Sequence, residues 1–124
     1  SGVVDCLGFG LSASFGAALA SKDLGENAIT VAIVGDGGIL MNNELNTLAS
    51  DAMSGIPLII IILNDSALSY VHQGFAAVMG RPLKQTKFPN EINFYKMAKS
   101  FGIYSEIISD VNTINDEYIK NLAG

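Results

Sequence analysis

The chain has 124 residues, 49% of them hydrophobic and 15% charged, a composition that supports one domain around one core and excludes a disordered segment. Its formal net charge of −5 excludes binding driven by attraction to a nucleic-acid backbone or an anionic membrane surface, which requires clustered Lys and Arg. A single cysteine, Cys6, excludes an internal disulfide and reads as a small buried, reduced thiol in a cytoplasmic protein.

Residues 1–5 carry no starting Met and no basic-then-apolar pattern, so they read as the edge of a fragment rather than a signal peptide. Residues 11–21 place Leu11, Phe15, Ala18 and Leu19 at helical spacing among Ala and Ser, which predicts a helix packed closely on a sheet. Residues 28–34 are β-branched and apolar on both faces, the pattern of a strand covered by helices on each side, and Gly35-Asp36-Gly37-Gly38 ends it. In residues 43–53 the apolar positions Leu45, Leu48, Ala49, Ala52 and Met53 form one helical stripe, closed by Gly55 and Pro57.

The aliphatic run 58–63 has strand length, far short of the ~20 residues of a membrane span, and stops at Asn64-Asp65-Ser66. Strand, helix and strand in that order predict a parallel βαβ unit. A short helix follows over 68–78. Residues 80–89, with Arg81, Lys84 and Lys87, read as an exposed basic loop. Phe94, Met97, Ala98 and Phe101 mark another helix ended by Gly102, residues 103–108 a third strand, and 114–122 a last amphipathic helix. The expected fold is α/β: an open doubly wound parallel sheet with helices on both faces, incomplete at both ends. Residues 1–124 form one domain of a longer polypeptide, with ligands bound beyond the carboxyl ends of the strands.

Asp36 and Asp65 each follow a predicted strand. Neighbouring strands lie about 5 Å apart, so both carboxylates would meet at one edge of one crevice and repel unless a cation lay between them. No Lys or Arg occurs from Ala28 to Met79, which favours a hard divalent ion such as Mg2+ with oxygen ligands. Gly37 and Gly38 lead into a helix, where successive main-chain N–H groups can face an anion. An acidic site that takes a polyphosphate needs a bridging metal, because direct contact would be repulsive. Without a ligand, the same two aspartates would be ordinary helix caps.

Gly35-Asp36-Gly37, then an amphipathic helix, an Ile/Leu strand and Asn64-Asp65, resembles the thiamine diphosphate motif that opens with Gly-Asp-Gly and closes with two asparagines. Residues 7–17, the gapless stretch 63–73 and the helix 94–102 are also similar to acetolactate synthases and 2-oxoacid decarboxylases, specifically their C-terminal, diphosphate-binding domain. The resemblance implies thiamine diphosphate and Mg2+ as cofactors. Asp36, Asp65 and the Ala67 carbonyl would be the metal ligands, with Asn64 as substitute, and Gly37 and Gly38 would present N–H groups to the diphosphate. Gly35, Leu68, Ser69 and Tyr70 would line the same cofactor segments. Leu7 would hold the cofactor's two rings bent, the Asp5 carbonyl would accept a bond from the aminopyrimidine, and Cys6 lies between them. Bending brings the amino group against the thiazolium carbon whose proton must leave before a 2-oxoacid is attacked.

The chain departs from that pattern in the interval from Asp36 to Asp65, slightly longer than in the acetolactate synthases, and at two residues. Asp65 replaces the second asparagine, which adds a negative charge, and Gly74 stands where the synthases carry a tryptophan that shapes the acceptor pocket. No residue matches the family's catalytic glutamate, so no catalytic residue is assigned here. The expected partner is a pyrimidine-binding domain or subunit carrying that glutamate, within a homo-oligomer acting on a small 2-oxoacid; no site is assigned to FAD. The alternative readings are a receiver- or flavodoxin-like signalling module and a non-catalytic scaffold. Gly8-Phe9-Gly10 lacks the preceding strand of a dinucleotide fingerprint. His72 reads as an exposed helix residue, Glu44 as a complement to a helix dipole, and Phe94, Tyr95 and Phe101 as core or interface.

Overall fold

Two parallel strands organise the chain in the computed structural model, which describes residues 6–26, 28–41, 45–88 and 90–123. β1 (Thr30–Gly35) and β2 (Leu58–Leu63) pair in parallel, in register from Thr30 opposite Leu58 to Gly35 opposite Leu63. Parallel strands need a crossover connection, supplied here by α2 (Asp36–Met41) and α3 (Leu45–Ser54). β2 has the bounds its aliphatic run predicts. β1 starts two residues later than expected and extends through Gly35.

Side chains alternate along a strand and the register pairs even positions with even ones, so Ala32, Val34, Leu58 and Ile60 share a face. That face is the core side: Leu11, Ala32 and Leu48 are buried to 4% exposure or less, with Met97, Phe101 and Ile103 packed around them. Each fully buried Leu contributes about 2 kcal/mol from the apolar surface it removes from water. On the opposite face Ile33 is 67% exposed and Leu63 63%. The two faces are equally apolar in sequence yet unequally covered.

α1 (Phe9–Asp23) packs on β1 through Gly10, where a Cβ would lie 3.3 Å from Val34 Cγ1. The contact sets the start of α1 beside the carboxyl end of β1. α4 (Ser69–Met79) follows β2, and α5 (Phe94–Ser100) starts where the Asn93 side chain accepts the Lys96 N–H at 2.8 Å, a helix N-cap. α6 (Asp116–Ala123) lies against β2. The class is the expected one, α/β with a parallel sheet flanked by helices. Among the described residues no helix is long and apolar enough to cross a membrane.

Three local expectations need correction. Residues 103–108 form no strand, and the described sheet has two. Ile103 packs into the core, but Tyr104 and Ile107 are exposed, and the segment is held by side chains, Ser105 Oγ to Tyr95 O at 3.1 Å and Tyr118 Oη to Glu106. β-branched composition marks strand potential, whereas a strand exists only where a neighbour pairs with it. The helix after β1 begins at Asp36 itself, because α2 precedes the predicted stripe. The described part of the predicted loop, residues 80–88, is more than a solvated connection: Lys84–Thr86 form a 3-10 turn, and Lys87 pairs with Ala67 in an antiparallel bridge.

Candidate functional site

β1 and β2 are adjacent with no strand between them, and their register ends with Gly35 opposite Leu63, so Asp36 follows one strand and Asn64-Asp65 the other at the same edge. The segments carrying the two acids therefore share one sheet edge. Asp36 is buried, 4% exposed, while Asp65 is exposed and accepts a hydrogen bond from the Ser69 hydroxyl. A buried carboxylate must be hydrogen-bonded or paired with a cation. Asp36 Oδ1 accepts the Gly37 N–H at 2.7 Å, and Oδ2 accepts the Ala67 N–H at 3.3 Å. A carboxylate offers about four lone-pair positions, so each oxygen keeps capacity for a further partner.

The turn after β2 delivers Ala67 to Asp36. Asn64 Oδ1 accepts the Ser66 N–H at 3.1 Å, and Ser66 adopts φ 58°, a left-handed conformation rare outside glycine. The chain then runs antiparallel to the strap 83–88, with Leu68 N–H to Thr86 O at 2.8 Å and Phe88 N–H to Ser66 O at 2.9 Å. These bonds flank Ala67, whose own N–H points away from the strap to the Asp36 carboxylate. In an extended residue the N–H and C=O project to the same edge; the Ala67 carbonyl is thus turned to the Asp36 side.

Gly37 is required by close approach. A Cβ there would lie 2.8 Å from Leu68 Cδ2, so the start of α2 and the start of α4 meet without room for a side chain. The Gly37 N–H is engaged by Asp36. A Cβ at Gly38 would meet nothing within 4 Å, so that side of the turn is open.

The structure gathers Asp36, Gly37, Ala67 and Leu68 in direct contact, with Asn64 and Asp65 at the same edge and Ser69 held by Asp65. Gly35 ends β1 beside them. Leu7, 49% exposed, precedes α1 at the same end of the sheet. Tyr70 projects outward and is 90% exposed. Asp5 and Glu44 lie outside the described residues. Cys6 is exposed rather than buried, because it precedes α1 and reaches no core layer. His72 is half-buried rather than exposed, with Nδ1 2.8 Å from Thr86 Oγ1. Thr86 escaped notice in the sequence because its partners come from residues that no local pattern links to it.

Among the described residues no three His, Cys, Asp or Glu side chains gather in a metal-binding group. A cation at this edge would therefore take main-chain oxygen as well as carboxylate, the donor set that suits Mg2+. The Asp36 carboxylate, the Ala67 carbonyl and the side chain of Asn64 or Asp65 fit that requirement.

Residues 1–123 match the family model "Thiamine pyrophosphate enzyme, C-terminal TPP binding domain". The chain belongs to this family. The acetolactate synthase isozyme 1 large subunit of Escherichia coli is 33% identical over 83% of the chain, and the acetolactate synthase large subunit of Lactococcus lactis is 30% identical over 94%. The chain spans 17% and 19% of those relatives' lengths. Among solved structures, the thiamine diphosphate-dependent 4-hydroxybenzoylformate decarboxylase of Rhodococcus jostii superposes with a TM-score of 0.74 at 26% identity, over 94% of this chain and 20% of that one. The receiver- and flavodoxin-like alternative is thereby set aside, and the cofactor inferred from the sequence is the one that names the family.

Proposed function

We propose that residues 1–124 are one domain of a larger enzyme that decarboxylates or carboligates 2-oxoacids, and that its strand ends hold the diphosphate of thiamine diphosphate through Mg2+. The observation that carries this reading is the buried Asp36 carboxylate, bonded to the Ala67 N–H across the ends of two paired strands. Asp36 would bind the metal by its carboxylate and Ala67 by its carbonyl. Asn64 or Asp65 would supply a further side-chain oxygen. Gly38, on the open side of the turn, would give its N–H to the diphosphate, where a helix start favours negative charge.

Thiamine diphosphate, when bound, supplies the electron sink for bond cleavage beside a 2-oxoacid carbonyl. The chain's own part is to anchor and orient. Leu7, at the same end of the sheet, would support the bent cofactor, with Cys6 and the Asp5 main chain beside it. Ser69 orients Asp65, and Leu68 closes the space over Gly37.

The proposed partner is a pyrimidine-binding domain or subunit that contributes the catalytic glutamate, in an intracellular homo-oligomer. Support comes from α4, which buries no residue and leaves Tyr70, Val78 and Met79 exposed, an apolar surface that a second domain would cover.

The test is calorimetric titration with thiamine diphosphate, with and without Mg2+, on the intact protein and its Asp36→Ala variant. Saturable binding that needs both Mg2+ and Asp36 is expected. Binding that is indifferent to Asp36 would remove the metal site, and no binding by the wild type would leave a non-catalytic scaffold.

A further inference from the structure

Resting on that reading, one side-chain pair outside the cofactor segments controls how they are held. Thr86, 3% exposed, donates its hydroxyl proton to the Leu83 carbonyl at 2.5 Å. A hydroxyl has one proton, so the 2.8 Å contact between Thr86 Oγ1 and His72 Nδ1 must be filled by the histidine's N–H. The network therefore assigns the proton to Nδ1, and the same N–H lies 3.3 Å from the Leu83 carbonyl. His72 stands in the first turn of α4, its main-chain N–H bonded to Leu68 O at 2.9 Å. Thr86 stands in the strap whose main chain grips Ser66 and Leu68.

The consequence is a closed circuit. The His72 imidazole ties α4 to Thr86, the strap ties Thr86 O to the Leu68 N–H and the Phe88 N–H to Ser66 O, and between those two bonds Ala67 is turned to Asp36. Ser66 at φ 58° is strained for a non-glycine residue and persists only where its surroundings over-determine it. The described strap reaches the 66–68 turn through a two-bond bridge rather than a strand ladder, so a single lost anchor on the strap loosens the turn.

We propose that His72 and Thr86 are positioning residues for the Mg2+ and diphosphate site: their bond clamps the strap onto α4 and so fixes the direction of the Ala67 carbonyl. Neither residue touches the metal. They act on it through Ala67, as outer partners that orient a ligand, whose loss commonly weakens metal affinity by about 10–100-fold.

The experiment uses the intact protein with MgCl2 and thiamine diphosphate as probes, comparing wild type with Thr86→Val, Thr86→Ser, His72→Leu and His72→Asn. Two quantities are read: amide hydrogen exchange at Leu68 and Phe88 without cofactor, and the Mg2+ concentration that half-saturates diphosphate binding. Thr86→Val and His72→Leu are expected to speed exchange at both amides and to raise the half-saturating Mg2+ at least about tenfold. Thr86→Ser, which keeps the hydroxyl, and His72→Asn, whose amide N–H takes the place of Nδ1–H, are expected to restore both. A clamp that merely stabilises α4 would lower the melting temperature and leave the Mg2+ requirement unchanged; that result would overturn the proposal. Wild-type protein that binds no diphosphate would overturn the functional reading and this inference with it, whereas wild-type binding shared equally by all four variants would overturn the inference alone.

Discussion

Asp36 and Ala67, 31 positions apart in sequence, are joined by a 3.3 Å bond from the Ala67 N–H to Asp36 Oδ2. The bond closes the carboxyl edge of the sheet. It ties the first residue of the helix after β1 to the turn after β2, and so brings a carboxylate and a main-chain carbonyl to one place.

Gly37 and Leu68 make the same junction sterically. Gly37→Ala drives a methyl group to within 2.8 Å of Leu68 Cδ2, and the clash should cost about 1 kcal/mol, since a leucine tip can shift but a crowded turn resists. Leu68→Ala removes the obstructing atom. A double-mutant cycle by denaturant unfolding should therefore show a favourable coupling between the two substitutions; additive losses would show that they do not meet.

Much of this site is legible in the sequence because it rests on local chemistry. Asp36 and Asp65 are placed by two aliphatic runs whose ends are sharp, and the helix-length interval between the runs implies adjacent parallel strands. The strap is not legible: Lys84, Thr86 and Lys87 look like an exposed polar stretch, and only the fold reveals that Thr86 is buried under His72. Residues 103–108 have strand composition but lack a pairing partner among the described residues. Cys6 is exposed because burial depends on what packs over the start of α1, which its neighbours in sequence do not encode.

Asp51 gives the protein an acid-favoured component of stability. Its side chain is buried, Oδ1 has no hydrogen-bond partner, and desolvation pushes the carboxyl above its ordinary 3.8. The folded state then binds the proton more tightly than the unfolded state. The contribution is full below 3.8 and is lost as pH rises through the higher folded value. Asp51→Asn, which keeps the shape but removes the desolvated charge, should raise stability at neutral pH and flatten the decline above the ordinary carboxylate value. Thermal melts across that range check both.

Tyr118 makes the opposite end of the pH scale informative. Its hydrogen bond to Glu106 leads the causes that push the phenol up to about 12 from 10.0. The folded state favours the protonated phenol, so the contribution is present below 10 and is lost as pH climbs through about 12. Glu106 is exposed and Tyr118 half-buried, so solvent screens the interaction and keeps the effect small. Tyr118→Phe should abolish the late-titrating phenol in an absorbance titration and loosen α6 from residues 103–108, seen as faster amide exchange in α6. Loss of a phenol that titrates near the ordinary 10.0 instead would mean that the bond does not form.

The most direct measurement is a crystal structure of the intact protein grown with Mn2+, as a stand-in for Mg2+, and thiamine diphosphate, using the metal's anomalous signal to locate it. The account predicts one ion about 2.1 Å from an Asp36 carboxylate oxygen and from the Ala67 carbonyl, with Asn64 or Asp65 as a further ligand and the diphosphate on the same ion. A metal bound elsewhere, or a diphosphate held without an ion on Asp36, would contradict it.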